Sequence, residues 1–141
     1  MKIVKVLTDL DAKDTESLRI KGTVVIPEEI DEIGEGAFGH CLNLREIVIP
    51  KNISRIDKFA FYNCHNLKTI KFCSAPNIDE KAFYLCSSVE KIILSKDVVS
   101  KFEYTPRKIE KFTEYLKEII NQNATFEIED EKYTFEEIES E

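Results

Sequence analysis

The sequence predicts a solenoid of the α/β repeat class, with short parallel strands stacked coil on coil, helical or 3₁₀ turns between them, and a helix closing the C-terminal end. Three observations predict it. The triplets Val24-Val25-Ile26, Ile47-Val48-Ile49, Ile70-Lys71-Phe72 and Ile92-Ile93-Leu94 start 23, 23 and 22 residues apart. Ala37-Phe38, Ala60-Phe61 and Ala82-Phe83 take steps of 23 and 22, as do Cys41, Cys64 and Cys86. The columns Leu44, Leu67, Val89; Ile33, Ile56, Ile78; and Ile30, Ile53, Ala75 move with them. Columns that shift together by one period mark a repeat architecture. A single coil has no way to bury its own apolar face, so successive coils must stack.

Within one unit, Leu44-x-x-Ile47-x-Ile49 alternates with period two and is β-branched, which suits a short strand with one buried face. Pro50 follows where a strand tolerates it. Ile53-x-x-Ile56 turns the chain. Ala60-Phe61-x-x-Cys64-x-x-Leu67 then spaces apolar residues by three, as one helical or 3₁₀ turn does. Subtracting one period from Ile26, Ile30, Ile33 and Cys41 lands on Ile3, Leu7, Leu10 and Leu18, all apolar, while Asp14-Thr15 replaces Ala-Phe. Residues 1–23 therefore read as a degenerate capping coil, residues 24–100 as three repeats plus a final strand. The rival reading of the N-terminus is an amphipathic helix through Ile3, Val6, Leu7 and Leu10.

The run from Ile49-Pro50 through Ile53-x-x-Ile56 to Ala60-Phe61-x-x-Cys64-x-x-Leu67 resembles the BspA-type leucine-rich repeat over about residues 20–99. The family's glycine occurs once, at Gly34, with Asp57 and Asp79 in its later places, and Cys73 stands where Pro50 leads one to expect proline. The resemblance implies a leucine-rich-repeat solenoid. It also implies a role in adhesion or host interaction, since members are often secreted or surface-exposed.

After the repeats, Thr105-Pro106 offers an N-cap followed by proline at the first helical position. Ile109, Phe112, Leu116, Ile119 and Ile120 then share one face, giving an amphipathic helix within residues 101–123. Its expected role is to close the solenoid; a detachable helix for a partner groove is the alternative. In residues 124–141, Phe126, Ile128, Tyr133 and Phe135 alternate with polar residues, as in a β-hairpin turning at Glu129-Asp130-Glu131 or an acidic tail.

Charge and chemistry narrow the function. The chain carries 20 Lys+Arg against 27 Asp+Glu, net −7, and residues 126–141 hold eight acids and one lysine, so the remainder is balanced. Capture of nucleic acid or an anionic membrane is disfavoured. No stretch is apolar for long enough to span a bilayer, and residues 1–10 lack the features of a secretory signal, so a reducing cytoplasm is expected. Asn52-Ile53-Ser54 and Asn123-Ala124-Thr125 then count as chance glycosylation sequons. Nucleotide, hydrolase and zinc-protease motifs are missing. His40 and His65 flank repeat cysteines without a recognisable catalytic signature, and Cys41, Cys64 and Cys86 read as a core ladder, leaving Cys73 the best candidate for a reactive thiol. Tyr62, Tyr84, Tyr104, Tyr115 and Tyr133 form no stacking platform with basic neighbours, which argues against single-strand nucleic-acid binding. No enzyme, metal or cofactor is expected.

What remains is surface. The residues between the buried strand positions form an outward row, Val25, Val48, Lys71 and Ile93, flanked by Thr23, Glu46, Thr69 and Lys91. Three apolar residues of four exceed what solubility asks. The expectation is a monomeric protein-binding module that uses Val25, Val48 and Ile93 for apolar contact and Glu46, Thr69, Lys71 and Lys91 for selectivity, with the terminal helix or tail as the competing cover for that row. The alternative is a small inhibitor or effector whose acidic C-terminal segment mimics an anionic ligand of a basic target.

Overall fold

The structure, a computed structural model, describes residues 5–8, 22–24 and 26–129. Strands β1 (Val6–Leu7), β3 (Glu32–Ile33), β5 (Arg55–Ile56) and β7 (Asn77–Ile78) form one parallel sheet in that order. Strands β2 (Thr23–Val24), β4 (Glu46–Ile49), β6 (Thr69–Phe72), β8 (Lys91–Ser95) and β9 (Thr125–Glu129) form the other. Helices α1 (Lys96–Lys101) and α2 (Pro106–Ile119) lie between β8 and β9. The coils β2–β3, β4–β5 and β6–β7 thus each contribute one strand to each sheet, so the Ile53-x-x-Ile56 segment builds a second sheet where the sequence suggested a turn.

The register of the longer sheet follows the apolar columns. Ile47 pairs with Ile70 and Ile70 with Ile92, and all three are buried, as are Ile49, Phe72 and Leu94 one step on. The Ala-Phe segments form a third ladder. Phe38 N–H donates to the Ala60 carbonyl (2.6 Å) and Phe61 N–H to that of Ala82 (2.8 Å). Inside each coil the turn is held by three-residue bonds such as Ala60 N–H to the Asp57 carbonyl (3.2 Å). With all three sides pinned, the phenylalanines stack in single file: Phe38 on Phe61 at 5.1 Å and 4°, Phe61 on Phe83 at 4.8 Å and 6°.

The cysteines occupy the same interior. Cys64 Sγ donates to the Phe38 carbonyl (3.1 Å) and Cys86 Sγ to the Phe61 carbonyl (2.9 Å). A small side chain with a weak donor fits there, and Cys41, Cys64 and Cys86 are all buried. Immediately before each cysteine the backbone is left-handed, at His40 (φ 58°), Asn63 (φ 60°) and Leu85 (φ 64°). Asn63 and His40 are residue types enriched in this region, whereas Leu85 is not. Leu85 is also 46 % exposed, so its side chain gains little from its place. Leu85→Asn is therefore expected to stabilise the fold by about 1 kcal/mol, raising the thermal midpoint by about 3–4 °C in an unfolding scan.

The first coil departs from the simple period. Leu7 pairs with Ile33, 26 positions on, and not with the residue 23 positions away, Leu10. The surplus falls between β1 and β2, because Val24 and Ile47 keep the 23-residue step. Val6 and Leu7 are strand, which overturns the helical reading for those two residues. The expectations for residues 9–21 lie outside the described residues.

At the other end, Ser95 closes β8 and caps α1, its hydroxyl accepting Asp97 N–H (3.2 Å). Left-handed Glu103 and Tyr104 turn the chain into α2, which begins at Pro106 as expected. Helix α2 buries Ile109, Phe112 and Leu116 against the third coil, with the Phe112 ring 6.0 Å from that of Phe72. The Tyr115 hydroxyl donates to the Ile78 carbonyl on β7, and Asn121 Nδ2 to that of Val89 (2.9 Å). Burial pushes the Tyr115 phenol above its ordinary value, with the Asp79 charge adding and the hydrogen bond to Ile78 opposing. A raised acid contributes stability that is present below the unfolded value and lost as pH rises through the folded one. Tyr115→Phe is thus expected to cost about 1 kcal/mol at neutral pH, and to flatten the fall in stability above about pH 10 in denaturant titrations across that range.

The helices do not end the longer sheet. Strand β9 pairs in parallel with β8 over five positions, from Lys91–Thr125 to Ser95–Glu129. The first arm of the expected hairpin is therefore a fifth parallel strand; the second arm, residues 132–136, lies outside the described residues. Alternation in sequence marks a strand without naming its neighbour, and parallel pairing requires a long crossover, which α1 and α2 supply. Among the described residues no helix is long and apolar enough to cross a membrane.

Candidate functional site

The outward face of the longer sheet carries two rows set by strand register. One runs Thr23, Glu46, Thr69, Lys91, Thr125; the other runs Val48, Lys71, Ile93, Glu127. Val25 lies outside the described residues. Val48 is 46 % exposed, Glu46 is exposed, and Thr69, Lys71, Lys91 and Ile93 are half-buried. The register thus brings together six of the seven residues singled out from sequence, with side chains alternating to one face as the pleat requires.

The apolar stripe is narrower than expected. Lys71 Nζ lies 2.9 Å from Glu129 Oε2, and Lys91 Nζ lies 3.4 Å from Glu127 Oε1. Both lysines assigned to selectivity are therefore matched by acids of β9, and Ile93 sits between the two ion pairs. Within the described residues, β9 meets this face by extending the sheet at its edge. Sequence reasoning missed Glu127 and Glu129 as partners of this face, although the alternation Phe126-Glu127-Ile128-Glu129 carried the signal.

A second exposed strip follows the Ala-Phe turns. Tyr62 stacks on Tyr84 at 5.9 Å and 15°, the His40 ring meets Tyr62 edge-on at 4.9 Å, and Phe59 packs on Tyr62 at 5.1 Å. The tyrosines of adjacent coils stack because coil spacing sets their rings face to face. Tyr84 remains 51 % exposed.

The possible chemical sites are structural in this arrangement. His40 Nδ1 bonds Asn63 Nδ2 (2.9 Å), and the neighbouring Cys64 points inward to the Phe38 carbonyl. The Cys64 thiol draws that of Cys86 below its ordinary value against the opposing pull of burial, but Cys86 is only 2 % exposed. Cys73, after β6, is half-buried. Among the described residues no group of three or more His, Cys, Asp and Glu side chains is placed to hold a metal ion. A recess at the start of β8 is lined by Lys68, Ser87, Ser88, Asn121, Asn123 and Thr125, and Asn121 and Thr125 spend their side-chain hydrogens on the Val89 and Glu90 carbonyls.

Stacked parallel strands of 22–23-residue coils, a single file of phenylalanines and a buried cysteine ladder define a leucine-rich-repeat solenoid. Residues 17–139 match the family described as BspA type Leucine rich repeat region, in six copies, and the chain belongs to that family. Leucine-rich-repeat proteins are generally non-enzymatic scaffolds for protein interaction. No curated protein and no solved structure matches the chain.

Proposed function

We propose that the protein is a non-catalytic recognition module that holds a protein partner on the outward face of the longer sheet. The observation carrying this reading is Val48. It is a β-branched residue 46 % exposed in the middle of a regular parallel sheet, with Glu46 beside it on the same strand and Lys71 opposite on the next. Such a face is stiff at β4, β6 and β8, each paired on both sides, so little entropy is lost when a partner docks. Apolar contact at Val48 and Ile93 would supply affinity, while Glu46, Thr69, Lys71 and Lys91 would set which partner fits; Val25 extends the row in sequence.

Val48→Glu tests this. The variant is expected to keep the wild-type circular dichroism and thermal midpoint, since the site is exposed, and to lose at least about tenfold in affinity for a partner that the wild type binds. Unchanged affinity would contradict the reading. The acidic-mimic alternative draws less support, because Glu127 and Glu129 already pair with lysines of the same chain.

A further inference from the structure

Strand β9 differs from every strand it extends. At the inward positions of β4, β6 and β8 the side chains are buried, but Phe126 and Ile128, the matching pair on β9, are only half-buried. Among the described residues the four-stranded sheet ends at β7. On the outward side the strand is held by the Lys71–Glu129 and Lys91–Glu127 pairs, with the two glutamates 60 % and 56 % exposed. Exposed pairs of this kind contribute little and are screened by salt.

We infer that β9 occupies an acceptor site for an extended segment of another protein: the edge of β8, with Lys71 and Lys91 above it, fits a strand in which apolar residues alternate with Glu or Asp. The strand seated there states the ligand chemistry. Backbone bonds to β8 give the register, the apolar residues continue the core at the Ile92 and Leu94 positions, and carboxylates two residues apart meet the two lysines. A competing acidic–apolar strand gains the same contacts when β9 lets go. This rests on the recognition reading only in sharing Lys71 and Lys91 with that face, and it names a partner class that the reading leaves open.

The test uses the full chain and a fluorescent synthetic peptide spanning residues 123–131. Saturable binding below about 1 mM is expected, weakened severalfold in about 1 M salt, where the screening length is about 3 Å. Lys71→Glu with Lys91→Glu should abolish binding of this peptide and restore it for a peptide carrying E127K and E129K. Hydrogen exchange should show the amides of β9 opening at least about a hundredfold faster than those of β6 and β8. No saturable binding, binding indifferent to the lysine changes, or β9 amides as slow as those of β8 would each overturn the inference. Val48→Ser, which puts no charge opposite Lys71, should leave peptide binding intact while weakening a partner of the outward face, so loss of the recognition reading and loss of this one are read separately.

Discussion

Phe61→Ala is expected to destabilise the protein by about 3–5 kcal/mol, the range for emptying a buried aromatic site. The ring is wholly buried and stacks on both Phe38 and Phe83, so its loss opens a cavity at the middle of the file and removes both aromatic contacts. In a stack where each coil touches only its neighbours, the interfaces on both sides weaken together. The thermal midpoint should fall by about 10–20 °C, and urea titration should show a lower midpoint. Phe61→Leu, which refills most of the volume, should cost much less. Equal costs for the two would contradict the cavity argument and mean that loss of the ring contacts, not of volume, sets the cost.

Gly34→Ala is the second large effect, expected at about 1–3 kcal/mol. A Cβ at Gly34 would lie 2.7 Å from the Leu7 carbonyl oxygen and 2.9 Å from Val6 Cγ1. That oxygen accepts the Gly34 N–H at 2.8 Å, so the added methyl pushes away the strand that the backbone is holding. One and two periods later Asp57 and Asp79 stand at the same place and turn their side chains to use: Asp57 Oδ1 accepts Lys58 N–H (2.7 Å) and Asp79 Oδ1 accepts Lys81 N–H (2.9 Å). The glycine is thus required by the close approach of β1 and replaceable where later coils leave room. Amide exchange checks it locally: Asp31 and Glu32, whose N–H groups donate to the Lys5 carbonyl, should lose protection while Asn77, bonded to the Ser54 carbonyl, keeps its own. Unaltered exchange at Asp31 and Glu32 would show that β1 does not press on Gly34.

These two sites also show where the sequence was readable. The Phe38, Phe61 and Phe83 column could be read because a buried ring in each coil must meet its equivalent when coils of equal length stack. The outward rows followed from the same register, so Glu46, Val48, Thr69, Lys71, Lys91 and Ile93 could be placed on one face beforehand. The two-residue strands β3, β5 and β7 were harder, since a pair of residues has no alternation to read. The left-handed row was hard to read because Leu85 has no propensity for it and the preference of His40 and Asn63 is too weak to mark a turn alone. The offset of β1 was hidden because Leu7 and Leu10 are equally apolar, and only backbone pairing chooses between them. The pairing of β9 depended on α1 and α2 returning the chain to the edge of β8, a tertiary event that local pattern does not encode.

The measurement that tests the stacked-coil account most directly is a set of nuclear Overhauser contacts between phenylalanine rings labelled one at a time. With centroids 5.1 and 4.8 Å apart, Phe38 should show contacts to Phe61, and Phe61 to Phe83, with none between Phe38 and Phe83. Absence of the two neighbouring contacts in the folded protein, or a direct contact between the outer rings, would contradict the single file on which the solenoid rests.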